Sequence, residues 1–202
     1  MKKILILVTA LAMTIGATAQ ENPLTYGVKA GINLSQISAQ TGDFEGDASD
    51  MKIGFFVSGH VNYSFGEFFG IQPELSFSMQ GGQEDLDGES MKMMFNYINV
   101  PVLFEVKPIT NLSIFVGPQI GFNIYKGVSY MGETISGSDL EDGMEMKVNT
   151  IDFAAVVGLQ YAINGQFLIS ARYNIGFTPI FDADGVSGLA NRVIQVGVGY
   201  KF

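Results

Sequence analysis

The sequence predicts an all-β fold, an eight-stranded antiparallel up-and-down barrel that crosses a membrane. Three observations carry this. The chain is 47% apolar and only 15% charged, with 25 Gly, yet past residue 15 it has no run of the roughly 20 apolar residues that a membrane helix needs. Low charge without such a run suits strands in which every second residue faces lipid. Eight segments alternate apolar with small or polar residues, which is the period of a strand. The connections between them alternate short and long, as the turns and loops at the two ends of a membrane barrel do.

Residues 1–19 read as a secretion signal. Lys2 and Lys3 precede an apolar stretch from Ile4 to Ile15, and Ala17-Thr18-Ala19 supplies a small-x-small cleavage site. The mature chain, 20–202, is then one barrel domain, and the leader with the barrel strands implies the outer membrane of a Gram-negative bacterium. The chain has no Cys, which excludes a disulfide scaffold and a thiolate metal site. Its formal charge of −9 argues against nucleic acid, which needs clustered Lys and Arg.

The first segment sets Tyr26, Val28, Ala30, Ile32 and Leu34 against Gly27, Lys29, Gly31, Asn33 and Ser35. The second, Ile53 to Phe65, carries His60 on its polar side, and the third, Phe69 to Gln80, carries Glu74 there. The fourth, Tyr97 to Val106, places Glu105 inward; the fifth is Leu112 to Asn123. The sixth, Ile151 to Tyr161, turns Asp152 inward, and the seventh, Phe167 to Thr178, turns Arg172 inward. The eighth, Asn191 to Phe202, has Ile194, Val196, Val198, Tyr200 and Phe202 on one face and Lys201 on the other. Each segment supplies about the 9–11 residues a tilted spanning strand needs. Pro73, Pro101 and Pro118 cannot donate to a ladder, so local bulges are expected at them.

The short connections are Gly66-Glu67-Phe68, Lys107 to Asn111 and Ile163-Asn164-Gly165; the long ones are 38–51, 82–92, 127–147 and 179–191. With short turns periplasmic and long loops extracellular, both mature termini are periplasmic. The turn at 66–68 pairs Phe65 with Phe69, and hence His60 with Glu74. At the last turn, Tyr161 and Phe167 must share a face. A three-residue loop 163–165 with Gly165 left-handed, pairing Ala162 with Gln166, meets that condition. Aromatic residues, among them Tyr26, Phe65, Phe104, Tyr161, Phe167, Tyr200 and Phe202 at one end and Phe55, Phe77, Phe122 and Phe177 at the other, fall where interfacial girdles belong.

Gly27-Val28-Lys29-Ala30-Gly31-Ile32-Asn33-Leu34-Ser35, Gln72-Pro73-Glu74-Leu75, Tyr97-Ile98-Asn99-Val100-Pro101, Val116-Gly117-Pro118, Arg172-Tyr173-Asn174-Ile175-Gly176 and the ending Gln195 to Phe202 together resemble the PorT-like outer-membrane β-barrel family. The likeness covers essentially the whole mature chain. It implies an eight-stranded barrel of the OmpA/OmpX type, with named relatives acting in secretion-system assembly and no catalytic residues to carry over. The alternation of the last segment, ending in Tyr200 and Phe202, resembles the signal read by the barrel-assembly machinery.

The inward charges Lys29, Arg172 and Lys201 balance Glu74, Glu105 and Asp152. With His60 they form the candidate site, a polar network inside a lumen that has room for side chains but hardly for a channel. The function expected is that of a non-enzymatic outer-membrane barrel serving envelope structure, surface interaction or secretion and assembly. Its partners are outer-membrane lipid and lipopolysaccharide, the assembly machinery and an unidentified protein, with no cofactor and no metal. One alternative is a lipid hydrolase in which His60 and Glu74, with an inward Ser58 or Ser76, form a triad; a structural His–Glu pair is the plainer reading. A second is a soluble ligand-binding barrel, which requires the opposite arrangement of apolar and polar faces. Fifteen of the 20 acidic residues lie in the long loops, between Asp43 and Asp184. They read as solvated loop surface or, more sharply, as divalent-cation ligands; Asp85 to Gly88 lacks the remainder of a calcium loop.

Overall fold

Side chains at every second residue point the same way along a strand, so an apolar alternation can be buried in lipid only if the sheet closes. The computed structural model describes residues 23–41, 44–47, 49–86, 89–131, 133–137, 139, 147–182 and 188–202. Its strands are β1 (Leu24–Thr41), β2 (Phe44–Asp47), β3 (Asp50–Phe65), β4 (Phe69–Leu86), β5 (Glu89–Ile109), β6 (Leu112–Tyr130), β7 (Glu133–Ser136), β8 (Lys147–Val148), β9 (Ile151–Ala162), β10 (Phe167–Gly176), β11 (Phe181–Asp182) and β12 (Leu189–Lys201). Eight of them, β1, β3, β4, β5, β6, β9, β10 and β12, pair antiparallel in chain order. The ring closes where β12 meets β1, from Gly27 opposite Lys201 to Ala39 opposite Leu189. The expected leader, and loop acids such as Asp43, Asp87, Glu141, Asp142, Glu145 and Asp184, lie outside the described residues.

The pairing also fixes the tilt. From Tyr63 on β3 the register passes through Ile71, Phe104, Val116, Val157, Tyr173, Ile194 and Leu34 and returns to β3 at Ile53, ten residues away. A shear of this size in an eight-stranded ring inclines the strands at roughly 40°. Every residue on that spiral row faces outward, and the burial pattern alternates on all eight strands as the sequence requires. Val198 is 65% exposed whereas Lys29 is 1% exposed. This is the reverse of a soluble barrel, because here the apolar face is outside.

Three details differ from the sequence reading. No bulge falls at a proline. Pro73 faces Val102, Pro101 faces Gln119 and Pro118 faces Ala155. On the other side of each proline the pairing lapses, between His60 and Tyr63, between Pro73 and Ser76, and between Pro101 and Phe104, and then resumes in the same register. A missing N–H thus opens one ladder without moving it. The register shifts lie instead at Met51/Phe56, Asn96/Tyr97 and Val106/Ile109. The second turn is tighter than Lys107 to Asn111, since Ile109 pairs Leu112. The third turn is one residue later than expected, at 164–166. Ile163 N–H donates to Phe167 O at 2.8 Å and Ala162 faces Leu168, not Gln166. Gly165 is left-handed, with φ 76°, and the Phe167 N–H donates to Asn164 Oδ1 at 3.0 Å. Tyr161 and Phe167 still both face outward.

The long connections are also more ordered than plain loops. β4 and β5 continue pairing as far as Leu86 and Glu89. β2 folds back on β1, β7 folds back on β6, and β8 and β11 form a separate two-stranded sheet.

Candidate functional site: the charge cluster of the lumen

Three inward charges meet at the middle of the lumen. Glu74 of β4 accepts from Arg172 of β10 through both guanidinium nitrogens, Nη2 to Oε1 at 2.6 Å and Nη1 to Oε2 at 2.8 Å. Lys29 Nζ of β1 reaches the same Oε1 at 2.6 Å, and Gln72 Nε2 donates to it at 2.6 Å. All three charged residues are buried. β4 and β10 are four strands apart in either direction around the ring, so the Arg172–Glu74 pair spans the full diameter. A two-pronged Arg–carboxylate contact is the strongest geometry available to such a pair, and it is one that makes buried charge tolerable.

The other candidate residues are distributed around this bridge. Glu105 accepts from Asn62 Nδ2 at 2.7 Å and lies 3.4 Å from Lys107 Nζ, which also donates to Ser64 Oγ at 2.8 Å. Lys201 lines the same turn-end cavity of about 140 Å³ as Glu105 and His60. Asp152 faces the lumen opposite Gly121 of β6. Among the described residues neither Lys201 nor Asp152 has an ion-pair partner. The charges are therefore not matched one to one: Glu74 takes two cations.

His60 sits opposite Glu74 in the ladder, but Glu74 is occupied by Arg172, Lys29 and Gln72. His60 Nδ1 and Ser58 Oγ have no hydrogen-bond partner among the described residues. A triad needs its base oriented by the carboxylate and bonded to the nucleophile; here Glu74 is engaged by the cations and Ser58 Oγ is not bonded to His60.

Sequence reasoning missed two layers. Towards the loop end, Asn33 donates to Ser78 Oγ at 2.9 Å and accepts from Gln195 Nε2 at 2.9 Å, joining β1, β4 and β12. Above that, inward Ile37, Phe95 and Tyr97 pack with Val148, Ile180 and Phe181, with the Phe95 and Phe181 ring centroids 6.3 Å apart. The β8–β11 sheet thus contributes to an apolar seal at the loop end. Inward parity marked Asn33, Ser78 and Gln195 as polar lumen residues; nothing in the alternation marked residues 148, 180 and 181.

At the turn end the seam is aromatic. Tyr26 stacks on Phe202 with centroids 5.5 Å apart, and Tyr200 meets Phe202 and Phe167 edge-on at 5.2 and 5.4 Å. Phe202 N–H donates to Tyr26 O at 2.9 Å.

Comparison with solved structures finds the same architecture. Ail, the attachment invasion locus protein of Yersinia pestis, is 17% identical, with 88% of this chain and 98% of that chain covered and a TM-score of 0.51. Neisserial surface protein A is 11% identical, with 87% and 95% covered and a TM-score of 0.52. A major outer membrane protein of Thermus thermophilus is 11% identical, with 89% and 99% covered and a TM-score of 0.52. No curated protein matches the chain. The family model described as outer membrane protein beta-barrel domain matches residues 18–182. The chain belongs to this family of outer-membrane β-barrel proteins.

Proposed function

We propose that the protein is a non-enzymatic barrel whose lumen is held shut from within, and that its work is done at its surfaces, in envelope structure, surface interaction or secretion and assembly. The observation that carries this is the Arg172–Glu74 bridge across the barrel diameter, reinforced by Lys29. A solute moving along the axis would have to displace a buried carboxylate from two cations. The His60–Glu74 geometry supports the non-enzymatic reading over the hydrolase.

In this reading residues 1–19 are a cleaved leader, the three tight turns and both mature termini are periplasmic, and the extended hairpins with their acidic residues face outward. Tyr200 and Phe202 form the edge offered to the assembly machinery. The likeness to PorT-like barrels supports a part in secretion-system assembly with a protein partner that the sequence does not name.

Planar-bilayer recording on the purified barrel tests the closed lumen. Wild type is expected to show no steady conductance, and Glu74→Ala with Arg172→Ala is expected to produce opening events. A steady open channel in the wild type would overturn the proposal.

A further inference from the structure

The lipid-facing positions of the ring strands are 26–36 of β1, 53–65 of β3, 69–79 of β4, 98–106 of β5, 112–122 of β6, 151–161 of β9, 167–177 of β10 and 192–202 of β12, taking alternate residues. One of them carries a charge, Arg192. Its outward direction follows from its place two residues before exposed Ile194 in an unbroken register. Its cross-strand neighbours are Gln36 and Ile175. Among the described residues its guanidinium has no ion-pair partner.

A charge on the lipid face costs about 2–4 kcal/mol at the midplane but about 0–1 kcal/mol near an interface. Arg192 lies ten residues before Phe202. A rise of about 3.3 Å per residue inclined at roughly 40° places it about 25 Å from the turn end, the full height of the apolar band. It therefore sits at headgroup depth, at the loop end. Arg192 and Gln36 also line a groove of about 540 Å³ on the outer wall, whose other walls include Leu34, Val157, Leu159, Tyr173 and Ile194. Its lining takes residues from each of several neighbouring strands and reaches Ile114 near the turn end, so the groove descends diagonally across the strands. It is apolar along its length and cationic at one end.

We propose that this groove holds an acyl chain of a phosphorylated outer-leaflet glycolipid, lipid A, with Arg192 binding its phosphate. A guanidinium matches a phosphate with two parallel hydrogen bonds, and the apolar walls take the chain. The assignment of the leaflet rests on the proposed orientation, loops outward and turns periplasmic.

Native mass spectrometry of the full barrel, released from phosphatidylcholine nanodiscs doped with lipid A, tests this. Wild type is expected to retain lipid A, Arg192→Lys to retain less, and Arg192→Leu to retain about tenfold less, the loss of one charge-assisted contact. Leucine suits a lipid-facing site, so the variant is expected to fold. Lipid A stripped of its phosphates is expected to be retained equally weakly by wild type and Arg192→Leu. Equal retention of intact lipid A by both proteins would overturn the proposal. Displacement of bound lipid A by inorganic phosphate alone would leave a bare anion site and overturn the lipid assignment. Orientation is read separately, by labelling Glu67→Cys in intact cells with an impermeant maleimide. Labelling there would overturn the proposed sidedness without altering the nanodisc result.

Discussion

Glu74 holds two cations with one carboxylate, and this makes it the residue whose loss matters most inside the barrel. Glu74→Ala leaves Arg172 and Lys29 buried without their anion, and removing one partner of a buried pair costs about 3–5 kcal/mol. Urea titration of the purified barrel refolded into vesicles is expected to show that loss. Replacing Lys29, Glu74 and Arg172 together by apolar residues of similar size is expected to recover most of it. His60→Ala is expected to leave both folding and the cellular lipid A profile unchanged, since His60 bonds to neither Glu74 nor Ser58; a changed profile would favour the hydrolase. On the outer wall the order of tolerance reverses. Val157→Arg, about halfway up β9 on the lipid face, is expected to cost about 2–4 kcal/mol in vesicle refolding, whereas inward Gln160→Glu, beside the polar turn-end cavity, is expected to cost far less. The inward or outward direction of each of these residues was legible in the sequence because the side-chain period is two. Which charges meet was not. The Arg172–Glu74 contact joins residues 98 apart in the chain, and the shear and tilt of the closed ring decide which levels face each other across the lumen.

At the scale of the element, the same period explains what was read and what was missed. A tight turn between two alternating strands has its register set by the demand that both apolar faces point outward, and Phe65 duly faces Phe69. That demand fixes only the parity of the pairing, so a loop at 163–165 and one at 164–166 satisfy it equally. The choice between them lies in local chemistry, the left-handed Gly165 and the Asn164 side chain that accepts from Phe167 N–H. Asn164→Ala is accordingly expected to lower stability by about 1 kcal/mol without shifting the register, which chemical denaturation and amide pairing by NMR would show. The hairpin extensions of β4 and β5 were unreadable as strands because alternation is a signature of lipid on one side. Beyond the bilayer both faces meet water or loops, and the pattern disappears while the backbone pairing continues. The prolines show the converse. Their effect on the ladder was foreseen, but its form was not, because neighbouring strands held the register across each gap.

At the scale of the whole molecule, stability depends on one seam, where the last strand meets the first. Gly31 faces Gly197 there, and the ring of Phe56 covers both, its atoms 2.8 Å from where a Cβ on either glycine would stand. Two glycines weaken a ladder by exposing backbone, and an aromatic ring laid over them restores cover. At the turn end the seam is completed by Tyr26, Phe167, Tyr200 and Phe202, and by the Phe202 N–H bond to Tyr26 O. Deleting Tyr200-Lys201-Phe202 removes these aromatic contacts and leaves Gly27 and Val28 of β1 unpaired on the β12 side, though still paired with β3, in the region where unsatisfied backbone groups are costly. The deletion is expected to lower outer-membrane abundance in cells and to slow closure in vesicles. Phe202→Ala keeps the backbone pairing of Gly27 with Lys201 and loses one ring. It is expected to slow assembly in cells while the purified protein still folds into detergent, because edge recognition draws specificity from alternate side chains and affinity from the main chain. Normal abundance of the three-residue deletion, by quantitative immunoblot of isolated outer membranes, would show that closure is established elsewhere in the ring.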